Sequence, residues 1–508
     1  MAEIILSVSG MVVQCIQCGQ FVMSVYNTFK NFKEELESLV LRVESHWVNL
    51  VFEIKFFARV ETFVDDLTRT HFQTLVGVLH AKLQILGSEI DSLSGGRRKL
   101  LGKIKFALLA KGSLEVAVTE FAEWHSLLLP LLYLLPRSTD PRIDRQILAE
   151  QAGSNKAISA VQNLKRAFTA LAAGNPNPVI FVPDAQYYSG RQLIRYTAVQ
   201  SKRLLDNRHV IIDSISCEGP GGRFVPQDVR NLAGILKEVD PMTFGIPACA
   251  GVVKIKNSKG QSIKLEMVFN VPEGLENPRS LRDLLLSLDI ENESHPINVR
   301  IQLAKRLART VLFVHSANFV HKNFRPETII VFDHRGNKNI NEIGVPFLVG
   351  FQKVRAAGGY TALMGDNAWE QDIYRHPTRQ GYHPEEIYTM EHDIYSLGVC
   401  LLEIALWKSF VSWDASGKYP LMTPQSEQLL RGNTTAVDTK DKLVKMAREV
   451  IPKRLGTRYT EVTISCLKCL DHEDGDNSEL LAKDDIPVGA SYIGKVSLLI
   501  NTEQSKKN

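Results

Sequence analysis

The first proline of this 508-residue chain is Pro130, and nothing before it reads as a strand. Over that stretch apolar residues return every three or four positions, as in Leu75, Leu79, Leu83, Leu86, Ile90 and Leu93, the spacing of one helix face. The clearest break is Ser94-Gly95-Gly96. Long helices with no strands between them can bury their apolar stripes only against one another, so residues 1–136 are expected to form an all-α helical bundle.

The opening helix of that bundle is unusual in charge. Residues 4–29 contain no ionisable Asp, Glu, Lys or Arg, a length that could span a bilayer. A polar stripe interrupts it: Ser7, Gly10, Gln14, Gln17, Gln20, Ser24, Asn27 and Asn31 lie on one helix face. A constitutive span rarely keeps such a line of amides. The expected resting state is therefore a packed amphipathic helix, with Ile5, Val8, Val12, Ile16, Val22, Val25 and Phe29 inward and the stripe, Gln17 at its centre, toward water. Because the stripe is neutral, later entry into lipid would cost far less than for a charged surface helix. A second candidate for lipid contact follows the glycine break, where Arg97, Arg98, Lys99, Lys103 and Lys105 crowd into nine residues. Each could add about 1 kcal/mol at an anionic leaflet, although a solvated helix start would look the same.

A chain this long exceeds what one core supports, so two or three domains are expected. A net charge of +4 gives no global attraction to nucleic acid, and none is expected as a partner. Seven scattered cysteines suit a reducing compartment. The pairs Cys15/Cys18 and Cys466/Cys469 sit in apolar helical stretches and are expected to be core thiols, with no metal.

Beyond the bundle, residues 137–178 read as a connector with helices near 142–151 and 156–173, closed by Gly174-Asn175-Pro176-Asn177-Pro178. From 179 to 270 short β-rich runs appear (210–212, 251–255 and 265–269) around one helix near 226–239, and past 280 the chain is mainly helical. The tail over 472–508 begins with an acidic turn and is expected to hold a short helix near 488–501.

Within the helical part, Leu312 to Ile330 contains His321-Lys322-Asn323-Phe324-Arg325-Pro326-Glu327-Thr328, which resembles the catalytic-loop run of protein kinases. Downstream, His392-Asp393-Ile394-Tyr395-Ser396-Leu397-Gly398 resembles the kinase helix whose aspartate braces that loop. The resemblance implies an α+β, bilobal, protein-kinase-like domain over 179–471, with a degenerate upper lobe (179–275) and a helical lower lobe (276–471). It also implies that the chemistry is lost. Asn323 stands at the position of the catalytic base, and Thr328 and Gly350 stand where the two metal ligands belong. The best counterpart of the nucleotide-gripping strand, Arg208 to Ile215, has no lysine, and no Gly-rich loop precedes it. Phosphoryl transfer rests on such positioning and metal groups, so a catalytically dead domain without a cofactor is expected. His321, Arg325, Pro326 and Asp393 are retained and would keep the loop built. Lys353–His376 occupies the activation-loop position, where Tyr360, Thr361 and Tyr374 are either phosphorylation sites or ordinary loop residues.

The N-terminal bundle, with its uncharged first helix, Trp47 and the Lys103–Leu108 segment, resembles the HeLo domain of fungal HET-S-type cell-death proteins. Its pairing with a defective kinase domain is similar to mixed-lineage kinase domain-like proteins. These resemblances imply a cytoplasmic cell-death effector that moves to anionic membranes and self-associates when an upstream kinase or receptor acts on its pseudokinase half. The alternatives are a non-catalytic adaptor and an unorthodox active kinase.

Overall fold

The computed structural model describes residues 8–27, 34–94, 115–150, 155–173, 180–183, 189–217, 225–258, 262–287, 295–336, 342–353, 355–356 and 366–471, apart from a few single positions and adjacent pairs. It divides into two compact units, 1–165 and 166–508. The whole is mixed: a helical region, and a second region of helices with several small antiparallel sheets.

The first unit is helical throughout its described residues. α1 (Val8–Asn27), α2 (Glu34–Val60) and α3 (Asp66–Ser94) are long, and the glycine pair lies outside the described residues. Their inward faces follow the expected periodicity. On α2 the buried set is Val43, Trp47, Leu50, Ile54 and Phe57, and on α3 it includes Phe72, Leu75, Leu79, Leu83 and Leu86. Phe57 stacks on Phe72 with ring centroids 3.9 Å apart. α1 meets α2 through a size match: Gly19 lies under the Trp47 indole, and a Cβ there would fall 2.5 Å from Trp47 Cε3. α4 (Leu128–Leu134) and α5 (Pro141–Ala149) follow, the latter starting on an Asp140 cap that accepts the Arg142 backbone N–H, with Pro141 at the first helical position. The segment expected as a connector thus contributes to this unit. Asn155 at the start of α6 (Lys156–Ala172) bonds Asn49, and Lys165 pairs with Asp144.

The second unit begins with a five-stranded antiparallel sheet of order β1-β2-β3-β5-β4. The strands are β1 (Gln192–Leu193), β2 (Gln200–Arg203), β3 (His209–Ser216), β4 (Ala248–Lys256) and β5 (Ser262–Asn270). α7 (Val225–Leu236) lies between β3 and β4 in the chain, and the short α8 (Pro241–Phe244) leads into β4. Helices then dominate, but a second small sheet sits among them where the sequence suggested mainly helix. β6 (Leu275–Ser280) runs straight into α9 (Leu281–Leu286), and α10 (Ile297–Ser316) leads to β7 (Phe319–Val320), before β6 pairs with β8 (Ile329–His334) and β8 with β9 (Val345–Leu348). β10 (Arg355–Ala356) returns to pair with β7. Beyond the one-turn α11 (Trp369–Asp372), α12 (Met390–Leu406) is buried at every position but Glu391, its Asp393 and Glu403 included. The hairpin of β11 (Val411–Trp413) and β12 (Pro420–Met422), then α13 (Pro424–Leu430), lead to α14 (Ala436–Leu467), which breaks at Gly456. Among the described residues no helix is long and apolar enough to cross a membrane.

Candidate functional site

The residues singled out by the catalytic-loop resemblance converge between β3, the loop after β7 and the turn after β9. Asp393, one turn into α12, is 1% exposed. Its carboxylate accepts the backbone N–H of His321 at 2.7 Å and of Lys322 at 2.9 Å, and the Tyr388 hydroxyl at 2.7 Å. These bonds hold Lys322 in left-handed backbone (φ +62°), which a lysine adopts only when its surroundings impose it. Burial works against the charge on Asp393, but His315, His321 and Tyr388 together keep its carboxyl below the usual range. Burial likewise lowers His321, to about 4, so its ring is neutral, and Nε2 donates to the Val349 carbonyl at 2.9 Å.

Asn323 is 5% exposed, and its amide is fully engaged. Nδ2 donates to Gly350 O at 3.3 Å and Gln352 Oε1 at 3.0 Å, while Oδ1 accepts Arg325 Nε and Nη2 at 3.0 and 2.8 Å. The Thr328 hydroxyl is turned back onto its own loop, near Asn323 O and Arg325 O, each at 2.9 Å. Pro326 opens that buried 3₁₀ turn, where its missing N–H is no loss. Gly350 has φ +84°, and a Cβ there would lie 2.8 Å from Thr328 Cβ. Neither Asn323 nor Thr328 offers a carboxylate to a metal, and neither can take a proton from a hydroxyl.

The sequence reading missed the residue that organises this turn. Asp213 of β3, 0% exposed, accepts the backbone N–H of Gly350 at 2.9 Å and of Phe351 at 2.7 Å on one oxygen, and Gln352 Nε2 at 3.1 Å on the other. Burial pushes its carboxyl up to about 6, and the three N–H donors pull against that shift. A signal was present: Asp213 is the one charged residue in the apolar run Val210-Ile211-Ile212-Asp213, and a lone carboxylate there needs partners.

A second buried network, also unforeseen, extends from the loop. Arg325 pairs with Glu327 at 2.8 Å, and Glu327 with Arg282 of α9 at 2.7 Å. Arg282, 1% exposed, continues to Glu403 at 3.2 Å, to the Tyr374 hydroxyl at 2.9 Å and to the Ser409 hydroxyl. The two arginines hold Glu327 low despite its burial, whereas burial raises Glu403. Tyr374, which the sequence left as either a phosphorylation site or an ordinary loop residue, belongs to this network: it is 1% exposed and donates to Glu403 at 2.8 Å. Tyr360 and Thr361 lie outside the described residues, as do Arg97, Arg98, Lys99, Lys103 and Lys105 and the tail beyond 471.

In the helical unit, Gln14, Gln17 and Gln20 are exposed, Val12, Cys15 and Gly19 are buried, and Ile16 is half-buried. Burial pushes the Cys15 thiol up to about 12, as for an inert core residue. No protein-family model matches the chain, and no curated protein does either.

Proposed function

We propose that the second unit is a protein-kinase-like domain without phosphoryl-transfer activity, and that it regulates a membrane-active helical bundle in a cell-death effector. The observation that carries the first half is the state of Asn323. At the position of the catalytic base it presents an amide whose acceptor is bonded to Arg325 of its own loop and whose donor is bonded to Gly350 and Gln352 of the turn after β9. The order of elements supports the reading: a five-stranded antiparallel sheet with one long helix between its third and fourth strands, then a mainly helical lobe whose buried helix braces the loop through Asp393. Losing base and metal ligands together leaves too little electrostatic stabilisation for useful turnover.

The membrane half is supported by α1. Gln14, Gln17 and Gln20 are exposed on it, and its sequence carries no charge from Ile4 to Phe29. Leaving the bundle for lipid would exchange one apolar surrounding for another, so a small bias from the regulatory unit could tip the balance. Anionic lipids, a second copy of the chain and an upstream kinase or receptor are the partners this reading requires.

The test uses the full chain and liposomes of mixed neutral and anionic lipid. Once activated, the protein should release trapped dye. Gln17→Glu, which places a charge costing about 2–3 kcal/mol near mid-bilayer, should abolish release and leave folding unchanged. Undiminished leakage by Gln17→Glu would remove α1 from the mechanism. A thermal shift of several degrees with Mg-ATP would refute the inactive-kinase reading, and partner capture without any leakage would favour an adaptor.

A further inference from the structure

We propose that Asp213 is a built-in anionic ligand, its carboxylate filling an N–H pocket at the Gly350-Phe351-Gln352 turn and latching the five-stranded sheet to the helical part of the same unit without any bound nucleotide. The pocket has the form of an anion site. Consecutive backbone N–H groups converge on one oxygen, at 2.9 Å from Gly350 and 2.7 Å from Phe351, because Gly350 takes a left-handed φ of +84° ahead of a short 3₁₀ turn. Such paired N–H groups bind small anions elsewhere in proteins. The Gln352 side chain closes the other side at 3.1 Å.

The two partners are held by different bodies. Asp213 is fixed within the sheet, paired opposite Met267 of β5 and following Ile212, which pairs with Gln200 of β2. The turn is fixed to the helical part, through Val349 N–H to Thr328 O at 2.8 Å and the His321 ring to Val349 O at 2.9 Å. Asn323 then bonds both Gly350 O and Gln352 Oε1, so the degenerate loop senses whether the turn is occupied. Phe351, fully buried between the Phe269 and His321 rings at 5.8 and 5.2 Å, packs beside the latch. A phosphate group arriving from outside would have to expel the carboxylate before reaching these N–H groups. The contact therefore both closes the unit and shields the pocket. It depends on neither the membrane nor the cell-death reading.

The experiment is chemical rescue of Asp213→Ala in the full chain, read by hydrogen exchange at Gly350 and Phe351. Removing the carboxylate should speed exchange there at least tenfold. Sodium formate should restore slow exchange, whereas sodium chloride at equal ionic strength should not. Equal effects of formate and chloride would reduce Asp213 to ordinary core packing and overturn the proposal, as would unchanged exchange in the variant. If Asp213→Ala does not fold, Asp213→Asn keeps the shape and removes the charge. Exchange at Gly350 and Phe351 should then rise at least tenfold at neutral pH, and wild-type exchange in that variant would refute the latch. Because the readout is local to the turn, its failure leaves the leakage test of α1 untouched.

Discussion

On the reading proposed above, aspartate at position 350 would be the natural attempt to build a metal site, and the geometry says that it should break the unit instead. Gly350 sits at φ +84°, where any residue with a Cβ is strained by roughly 1–2 kcal/mol. The new Cβ would also lie 2.8 Å from Thr328 Cβ and closer still to its Cγ2. Thr328 cannot easily turn away, since its hydroxyl is bonded to two backbone carbonyls and to the Arg325 N–H. Overpacking of this kind costs about 1–3 kcal/mol. The added carboxylate would also stand beside Asp213, which already occupies the N–H groups of the turn. Together these give about 2–5 kcal/mol, or a fall in melting temperature of roughly 4–10 °C for a unit of this size. Calorimetry of the full chain should show one transition lowered by that amount, with no Mg-ATP-dependent recovery. Adding Thr328→Ser removes the crowding methyl but keeps the hydroxyl and the Cβ, so the double variant should regain part of the packing cost, about 1 kcal/mol, and none of the φ part. If Gly350→Asp melts within 2 °C of wild type, roughly the 1 kcal/mol level for a large domain, the reasoning from φ and crowding fails.

Two further predictions concern the helical unit. Gly19→Ala drives a methyl into the Trp47 ring and should loosen α1 by about 1–3 kcal/mol; faster hydrogen exchange across α1 and a lower threshold for liposome leakage are the expected results, and unchanged exchange would show that the helices can shift apart at no cost. His46, beside His125 at 3.0 Å, is lowered to about 4 by burial first, then by His125 and Arg42. A histidine held low contributes stability that is complete above its unfolded value near 6.5 and is lost as pH falls toward 4; because His46 is only half-buried, solvent screening reduces the loss to about 1–2 kcal/mol. Unfolding of the helical unit, followed by exchange within α2, should show that decline, and His46→Asn should flatten it; an identical pH profile in the variant would place the sensitivity elsewhere.

Periodicity alone determined the helices of the first unit, because a stripe of apolar side chains every three or four residues has no use except against another helix. Leu75, Leu79, Leu83 and Leu86 are all buried, the glycines at 95 and 96 follow the last residue of α3, and the three β-rich runs lie within β3, β4 and β5. The residue types on which the proposed loss of activity rests, Asn323, Thr328 and Gly350, are read by identity and need no coordinates. Only the tertiary structure decided what fills the space they leave. Asp213 precedes the turn it caps by 137 residues, and Arg282 precedes Glu403 by 121, so no local pattern joins either pair. The same holds for Tyr374, which in sequence is one more hydroxyl in a polar loop but in the fold is a buried member of the Arg282–Glu403 network. Local spacing records which face of an element must be hidden from water. Which buried charge meets which donor is settled when distant elements close on one another, since a carboxylate out of water persists only where hydrogen bonds or opposite charges replace the water it lost.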